Sequence, residues 1–136
     1  MIRPLLDTHV WVWWVTGDSR LDVETRSTLD TLVPAEMPFL SVISLWEVAM
    51  LVERKRVAFS KPLNEWLRAA IAPGVVETLS ITPDIAAAAA GFRSRLYGDP
   101  ADRLIVATSR TFNLPLATND QRILRSGLIE RWVPAP

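Results

Sequence analysis

Short apolar runs alternate along the chain with longer segments in which apolar residues recur at helical spacing. Four runs have the composition of β-strands: IRPLL (2–6), PFLSVI (38–43), ETLSI (77–81) and LPLAT (114–118). Between them, apolar side chains return every three or four residues, as expected for helices with one buried face. The clearest helical segments cover residues 21–32, 63–71, 85–96 and 104–112.

Strands that alternate with helices predict βαβ units, in which right-handed helical crossovers join parallel strands. We therefore expect an α/β fold, a three-layer α/β/α sandwich with a central, mostly parallel sheet of four or five short strands. Thr82-Pro83 indicates a helix start, because a capping hydroxyl precedes a proline that needs no amide donor. Residues 1–136 are expected to form a single domain. In such sheets, ligands bind beyond the carboxyl ends of the strands.

Acidic residues stand at these strand ends. Asp7, in LLDTHVWVWW, directly follows the first strand, and Glu47, in SVISLWEVAM, falls in the first turn of the helix after the second. Asp120, in LATNDQRI, follows the last strand. Asp102, in GDPADRLIVATS, opens the helix that leads to that strand, and Asp99 lies three residues before it. The acids are therefore expected to meet at one edge of the sheet.

Each acid also has a local interpretation as a helix cap. Ser44-Leu45-Trp46-Glu47 and Thr118-Asn119-Asp120-Gln121 fit a capping box, and Asp99-Pro100 fits an N-cap followed by proline. A cap contributes only about 1 kcal/mol. Two carboxylates roughly 5 Å apart repel by about 3 kcal/mol at an effective dielectric of about 20, so capping alone does not justify four acids in one crevice.

A cation among the acids resolves this repulsion. Arg103 is expected to point away from Asp102 on the same helix and to pair with Asp99 one turn back. Carboxylate-rich sites are typical of Mg²⁺ or Mn²⁺, which keep positions open for water and phosphate oxygens. Such a metal suits in-line hydrolysis of phosphodiester bonds. A single histidine, His9, and no cysteine disfavour a zinc hydrolase.

Composition narrows the class of protein. Hydrophobic residues make up 49% of the chain and charged residues 22%, as in an average soluble globular protein. The sequence has no apolar run of membrane-spanning length, no signal-peptide pattern and no cysteine, so we expect a cytoplasmic protein without membrane association. Net charge is zero, which by itself does not indicate nucleic-acid binding. Only two of the fifteen cationic residues, Lys55 and Lys61, are lysines, and arginine is the better partner for phosphate.

The motifs LLDTHVWVWW, SVISLWEVAMLVERKRV, DPADRLIVATS and LPLATND, in this order and spacing, resemble the PIN-domain ribonucleases. The resemblance is specifically to the VapC-like toxins of type II toxin–antitoxin systems, and it covers nearly the whole chain. It implies a Mg²⁺- or Mn²⁺-dependent endoribonuclease with an α/β/α sheet that cleaves RNA. It also implies a homodimer that is neutralised by a small cognate antitoxin protein.

The resemblance implies catalytic roles for four acids of this chain. The family's acids fall on Asp7, Glu47, Asp102 and Asp120. Asp7 and Asp102 are expected to be the main metal ligands, while Glu47 and Asp120 complete the site, in part through water. One of the latter two orients or deprotonates the attacking water. Asp99 is the next candidate for a metal ligand.

Supporting positions accompany these acids. Thr8 follows the first acid, where the family commonly has Thr or Ser, and Thr118 and Asn119 precede the fourth. The third motif departs from the family, which often has Phe and a preceding His-Arg where this chain reads Tyr97-Gly98-Asp99-Pro100-Ala101-Asp102. The acids are kept in spite of this departure, and the local contacts to substrate are expected to differ from those of the family.

Aromatic and basic residues near the motifs have two interpretations each. Trp11, Trp13 and Trp14 are expected mainly to pack in the core or at an interface, with stacking of RNA bases as the alternative. His9 is expected on a helix face or at an interface. Basic residues either cover a solvated helix end or contact RNA phosphates. The candidates for phosphate contact are Arg54, Lys55, Arg56 and Arg103, with Arg93 and Arg95 as further positions.

Two alternative functions are considered for an α/β chain of this kind. The first is a phosphatase or phosphotransfer domain, which the sequence disfavours. A haloacid-dehalogenase-like phosphatase needs a second Asp where His9 stands, and a phosphotransfer receiver needs an Asp after the third strand, where Thr82-Pro83 stands. The five glycines form no Gly-rich phosphate-binding turn. The second alternative is a catalytically inert PIN-like interaction domain, against which the presence of all four acids weighs.

Overall fold

Four short parallel strands form the sheet at the centre of the computed structural model, in the spatial order β3-β2-β1-β4. The structure describes residues 2–92 and 94–134. The strands are β1 (Leu5–Leu6), β2 (Phe39–Ser41), β3 (Glu77–Leu79) and β4 (Leu116–Ala117). Leu5 pairs with Phe39 on one side and with Leu116 on the other. All four predicted strands are present, each shorter than the apolar run that predicted it.

Helices follow the strands within the described residues. They are α1 (Thr8–Thr16), α2 (Val23–Asp30), α3 (Ile43–Glu53), α4 (Leu63–Ala70), α5 (Pro83–Gly91), α6 (Pro100–Thr111) and α7 (Gln121–Ser126). Thr82 caps α5 as predicted, since its hydroxyl accepts a hydrogen bond from the Ile85 amide at 3.2 Å. The helix predicted as far as Leu96 ends at Gly91, because glycine is a weak helix former. None of these helices is long and apolar enough to cross a membrane.

Successive residues of each strand face opposite sides of the sheet, and this creates two cores. Leu6 and Ala117 pack on one side against buried residues of α1, α2, α3 and α4. Leu5 and Leu116 pack on the other side against buried residues of α6 and α7. Helix α5 lies against α6. The three-layer α/β/α sandwich expected from the sequence is therefore confirmed.

Trp11 fixes the first helix against the sheet. Its side chain is fully buried, its indole N–H donates to the Ala70 carbonyl at 3.0 Å, and its ring meets Trp66 edge-on with centroids 5.5 Å apart. A buried indole with its N–H satisfied is a strong packing anchor. Because Asp7 lies between β1 and α1, this packing also determines where the Asp7 carboxylate points.

Candidate active site

Asp7 caps α1 and also presents its carboxylate at the end of β1. The Asp7 amide donates to the Ala117 carbonyl at 3.0 Å, which continues the ladder between β1 and β4. Asp7 Oδ1 accepts from the Thr8 amide at 2.8 Å, and Asp7 Oδ2 accepts from the Thr118 hydroxyl at 2.6 Å. Burial raises the pKa of Asp7, while His9 and these two hydrogen bonds lower it. Capping and site formation are thus compatible at this residue.

Glu47 is bound to the first motif through Thr8. The Thr8 hydroxyl donates to Glu47 Oε1 and lies 2.7 Å from the Ser44 hydroxyl oxygen. Since Thr8 has one hydroxyl proton and gives it to Glu47, Ser44 is the donor to Thr8. Burial raises the pKa of Glu47 to about 7, and the charges of Asp7 and Asp99 add to this effect.

The capping box predicted for Ser44 and Glu47 is therefore wrong. Helix α3 begins at Ile43, and Val42 occupies the N-cap position without a side-chain hydrogen bond. Ser44 already lies inside the helix and is fully buried, so its hydroxyl turns toward Thr8 rather than to a free amide at the helix start. Tertiary packing decides the partner of both side chains.

Asp99 and Asp102 bring two further carboxylates to the same place from the start of α6. Asp99 is the N-cap, as predicted, and its Oδ1 accepts from the amides of Ala101 and Asp102. Asp102 is buried in the first turn. Burial raises the pKa of Asp102 to about 8, and the charges of the neighbouring acids contribute to the same rise. Glu47, Asp99 and Asp102 each offer one carboxylate oxygen within 4.8 Å of the others.

Asp120 caps α7 directly. Its Oδ1 accepts from the Arg122 amide at 2.8 Å and from the Ile123 amide at 3.4 Å. The predicted capping box that starts at Thr118 is wrong, because α7 begins at Gln121 with Asp120 itself as the N-cap. The Thr118 hydroxyl instead donates a hydrogen bond to Asp7, and it accepts one from the Asp120 amide at 3.0 Å.

The acids converge on one cleft of about 350 Å³. All four acids predicted for the site line it, and so does Asp99. The complete lining is Asp7, Thr8, His9, Val12, Trp13, Arg20, Glu47, Leu51, Arg56, Val57, Asp99, Asp102 and Asp120. The lining thus combines five acids with apolar side chains and two arginines.

A basic residue that the sequence reasoning missed contacts these acids. Arg122 Nη2 lies 2.7 Å from Asp102 Oδ2, whereas the expected pairing of Arg103 with Asp99 is wrong. Within the described chain, Arg103 forms no ion pair with Asp99, and its buried Nε has no hydrogen-bond partner. Asp99 sits at the N-cap, outside the regular helix, so the spacing rule for helix faces does not apply to it. Arg122 follows Asp120 by two residues, and that closeness was the available indication.

The donor set of the cleft suits a hard divalent cation. Its converging ligand atoms are carboxylate oxygens, which Mg²⁺ and Mn²⁺ prefer. Burial and the neighbouring carboxylates raise the pKa of Glu47 and Asp102, and the Arg122 guanidinium that pairs with Asp102 is more than half exposed to solvent. Removing protons from these acids and binding a cation are therefore favourable together.

Comparison with known proteins identifies the family. The PIN domain family matches residues 5–127. The chain belongs to the PIN-domain family. The family expected from the four acidic motifs is thus confirmed. A relative, Ribonuclease VapC22 of Mycobacterium tuberculosis (strain ATCC 25618 / H37Rv), is 36% identical over 123 residues, which are 90% of this chain and 91% of the relative.

Solved structures share the fold of this PIN domain. VapBC2 from Rickettsia felis, bound to a DNA fragment from its promoter, aligns with a TM-score of 0.70 at 15% identity and covers 96% of this chain and 98% of that chain. FitAB bound to the IR36 DNA fragment aligns with a TM-score of 0.67 at 23% identity, over 94% and 92% of the two chains. A toxin–antitoxin complex from Klebsiella pneumoniae aligns with a TM-score of 0.60 at 21% identity, over 86% of each.

The three tryptophans of the first motif separate into different environments in the PIN domain. Trp11 belongs to the core, and the Trp14 indole donates to Asp30 at 2.8 Å. Trp13 is partly buried and lines the cleft, where the Arg20 guanidinium lies 5.1 Å from its ring centroid. Trp11 is a core-packing residue, as expected, while the Trp13 ring forms part of the surface of the cleft.

His9 lies on α1, and the face of the helix that carries it lines the cleft. Its Nε2 accepts a hydrogen bond from the Asn119 amide at 3.2 Å, which leaves Nδ1 as the nitrogen that faces Asp7. That nitrogen lies 3.5 Å from Asp7 Oδ2, and the ring meets Trp13 edge-on at 4.9 Å. His9 therefore links the backbone after β4 to the carboxylate after β1.

Of the basic residues proposed to contact phosphate, Arg56 lines the cleft. Arg54 ends α3, and Lys55 has a left-handed backbone with φ of 58°. Among the residues that the structure describes, neither of these two nor Arg103 contributes to the cleft lining. Arg93 lies outside the described residues.

Proposed function

We propose that this PIN-domain protein is the endoribonuclease toxin of a toxin–antitoxin pair and that it hydrolyses RNA phosphodiester bonds with a bound Mg²⁺ or Mn²⁺. The observation that carries the proposal is the convergence of five carboxylates on one cleft, from the segments after β1 and β4, the second turn of α3 and the start of α6. The relative Ribonuclease VapC22 supports the activity, since it matches nearly the whole chain.

We assign the metal ligands among these acids. Asp7 and Asp102 are proposed as the main ligands, because both carboxylates are buried at the cleft and cannot turn away to solvent. Glu47 and Asp99 are proposed to join them, since their oxygens lie in the same cluster as that of Asp102. Asp120 completes the site in part through water. A divalent cation bound there supplies charge stabilisation for the phosphate oxygens and lowers the pKa of bound water.

The remaining side chains position these acids. Thr118 and the Thr8 amide orient the Asp7 carboxylate, while the Thr8 hydroxyl orients Glu47. Asp120 caps α7 with Oδ1 and lines the cleft, so we assign it to orienting the attacking water. Asn119 contributes its backbone amide to His9. Because these carboxylates are held in place, they need not reorient during the reaction, and the free-energy cost of that reorientation is avoided.

We further propose that the protein acts in the cytoplasm as a homodimer and binds a small cognate antitoxin. The structural relatives support the antitoxin, because one is a toxin–antitoxin complex and others, FitAB and VapBC2, are assemblies bound to DNA. The side chains of Trp46 and Tyr97 are 52% and 73% exposed and offer apolar area for protein contact. The family match over residues 5–127 supports one nuclease domain.

A nuclease assay with matched variants tests the proposal. Asp102→Asn and Asp7→Asn are expected to abolish Mg²⁺- or Mn²⁺-dependent cleavage of RNA, while wild type loses activity in EDTA. Asp84→Asn, an exposed acid in the first turn of α5, is the control and keeps full activity. Cleavage by folded Asp102→Asn and Asp7→Asn proteins at the rate of the control would contradict the assignment.

The alternative of an inert interaction domain gives a different result. Calorimetric titration with Mn²⁺ is expected to show binding to the wild type that Asp102→Asn weakens strongly. An inert scaffold would show no carboxylate-dependent Mn²⁺ binding and no cleavage of RNA. A phosphatase would release phosphate from a small phosphomonoester at a rate that depends on the same acids.

A further inference from the structure

One guanidinium nitrogen of Arg122 meets three carboxylates of the cleft. Nη2 lies 2.7 Å from Asp102 Oδ2, 3.7 Å from Asp120 Oδ2 and 3.9 Å from Asp99 Oδ2. Across residues 2–92 and 94–134, the ion pairs of these three acids are all with Arg122. A side chain of the protein thus places positive charge among carboxylates that we assign to metal binding and catalysis.

Arg122 is far easier to move than the acids it contacts. Its side chain is 55% exposed, whereas that of Asp102 is 7% exposed. The Asp99 and Asp120 carboxylates are also fixed, because each caps a helix through Oδ1. An exposed arginine loses little when it exchanges an ion pair for water or another anion. A second cation that enters the cluster therefore displaces the guanidinium and leaves the carboxylates in place.

We propose that Arg122 is a displaceable counterion, which pairs with Asp102 before metal binding, gives up this carboxylate to a divalent cation and then contacts a phosphate oxygen of the RNA. This inference rests on the proposed function and adds a residue that acts on both the metal and the substrate. Arg122 weakens metal binding, because two cations at one carboxylate repel each other.

The second half of the proposal follows from where the displaced side chain is anchored. Arg122 lies in the first turn of α7, two residues after the Asp120 cap, so its guanidinium stays at the edge of the cleft. RNA that places a phosphate at the acids brings an anion within reach of it. Guanidinium and phosphate match in geometry, and the pair forms strong charge-assisted hydrogen bonds.

The two halves predict opposite changes in two affinities. In Arg122→Gln, Mn²⁺ is expected to bind about 5- to 10-fold more tightly, as measured by calorimetry, because the competing charge is gone. The affinity for a fluorescein-labelled, mixed-sequence RNA oligonucleotide is expected to fall about 5- to 10-fold in anisotropy titrations with Mn²⁺ present. The RNA titrations use the Asp7→Asn background with and without the Arg122 change, so that the RNA stays intact, at a Mn²⁺ concentration that calorimetry has shown to saturate both proteins.

Matched variants separate local charge from general effects. Arg125→Gln removes the same charge from an exposed position of α7 and is expected to leave both affinities unchanged. Arg122→Lys keeps the positive charge and is expected to bind Mn²⁺ nearly as the wild type does. The Nε–Hε resonance of Arg122 in the wild type, assigned by its loss in Arg122→Lys, is expected to shift when Mg²⁺ saturates the site.

The outcomes distinguish this inference from the proposed function. If wild type binds Mn²⁺ and cleaves RNA, but Arg122→Gln binds Mn²⁺ no more tightly than Arg125→Gln, the counterion role is overturned and the proposed function stands. An RNA affinity that does not change in Arg122→Gln overturns the phosphate contact. A wild type that neither binds Mn²⁺ nor cleaves RNA overturns both.

Discussion

The Thr118 hydroxyl donates a hydrogen bond to Asp7 Oδ2 at 2.6 Å, across 111 residues of sequence. Thr118 directly follows β4 and Asp7 directly follows β1, and these strands are neighbours in the sheet. The bond is buried, and the same hydroxyl accepts from the Asp120 amide. One threonine thus connects the first and fourth acids of the site and determines the orientation of the Asp7 carboxylate.

Replacing this threonine by valine is expected to impair catalysis without changing the fold. Thr118→Val keeps the shape but leaves a buried oxygen of Asp7 without its donor, which costs about 1–3 kcal/mol of folding stability. We expect RNA cleavage to fall about 10- to 100-fold, as for other groups that orient metal ligands. The measurements are cleavage rates at saturating Mn²⁺ and urea unfolding.

Two substitutions serve as controls: one restores a hydroxyl at position 118, and the other removes a threonine hydroxyl outside the site. Thr118→Ser restores the donor and is expected to recover most of the activity. Thr111→Val, at an exposed position at the end of α6, is expected to be neutral. Equal activity of Thr118→Val and Thr111→Val would show that the hydroxyl does not position Asp7.

Without metal, the protein is expected to lose stability as the pH rises. The pKa of Asp102 is raised from 3.8 to about 8 and that of Glu47 from 4.5 to about 7, so the folded protein holds protons that the unfolded chain has released. Unfolding in this range releases protons, and a higher pH therefore favours unfolding. We expect the free energy of unfolding in EDTA to be about 1–3 kcal/mol lower at about pH 8.5 than at about pH 5.5.

Asp102→Asn is the decisive variant for this dependence. It removes a titrating carboxylate, so stability in EDTA is expected to vary less with pH than in the wild type, whereas Asp84→Asn keeps the wild-type dependence. Mn²⁺ is expected to stabilise the wild type more at the higher pH, where protons no longer compete for the ligands. A pH dependence that is identical in Asp102→Asn and wild type would exclude Asp102 as its source.

Trp13 is expected to stack against a base of the bound RNA. Its ring lines the cleft beside His9 and Arg20. Because stacking of a base on an aromatic ring contributes about 1–3 kcal/mol, Trp13→Leu is expected to weaken RNA binding about 5- to 100-fold. Calorimetry is expected to give unchanged Mn²⁺ affinity, since the acids stay in place.

The control for Trp13 is an exposed tryptophan that does not line the cleft. Trp46→Leu removes an indole that is 52% exposed on α3 and is expected to retain RNA affinity. Trp13→Phe keeps an aromatic face and is expected to retain most of it. If Trp13→Leu bound RNA as tightly as Trp46→Leu does, the ring would be a packing residue alone.

Arg56 is expected to contact the RNA backbone more strongly than Arg54 does. Arg56 lines the cleft, while Arg54 stands at the end of α3. A lost phosphate contact lowers affinity for all RNA sequences and reduces the dependence of log affinity on log salt by about 1. We expect this change in Arg56→Gln, measured by anisotropy at several salt concentrations, and a smaller one in Arg54→Gln. The reverse order would place the RNA along another path.

The sequence by itself determined the layers of the fold and the acids that meet in the cleft. The strands and the helix start at Thr82 follow from local composition, and alternate residues such as Leu5 and Leu6 necessarily face opposite sides of a sheet. Acids that closely follow parallel strands, such as Asp7 and Asp120, must share one edge. These conclusions need only the local sequence pattern and the parallel direction of the strands.

Only the tertiary structure decided which side chains bind one another within the cleft. The Ser44 hydroxyl turns to Thr8, the Thr118 hydroxyl turns to Asp7, and Arg122 rather than Arg103 reaches the acids. The physical reason is that these partners depend on how far each helix is rotated and shifted on the sheet. That placement is set by the packing of buried side chains such as Trp11, whose partners lie far away in the sequence.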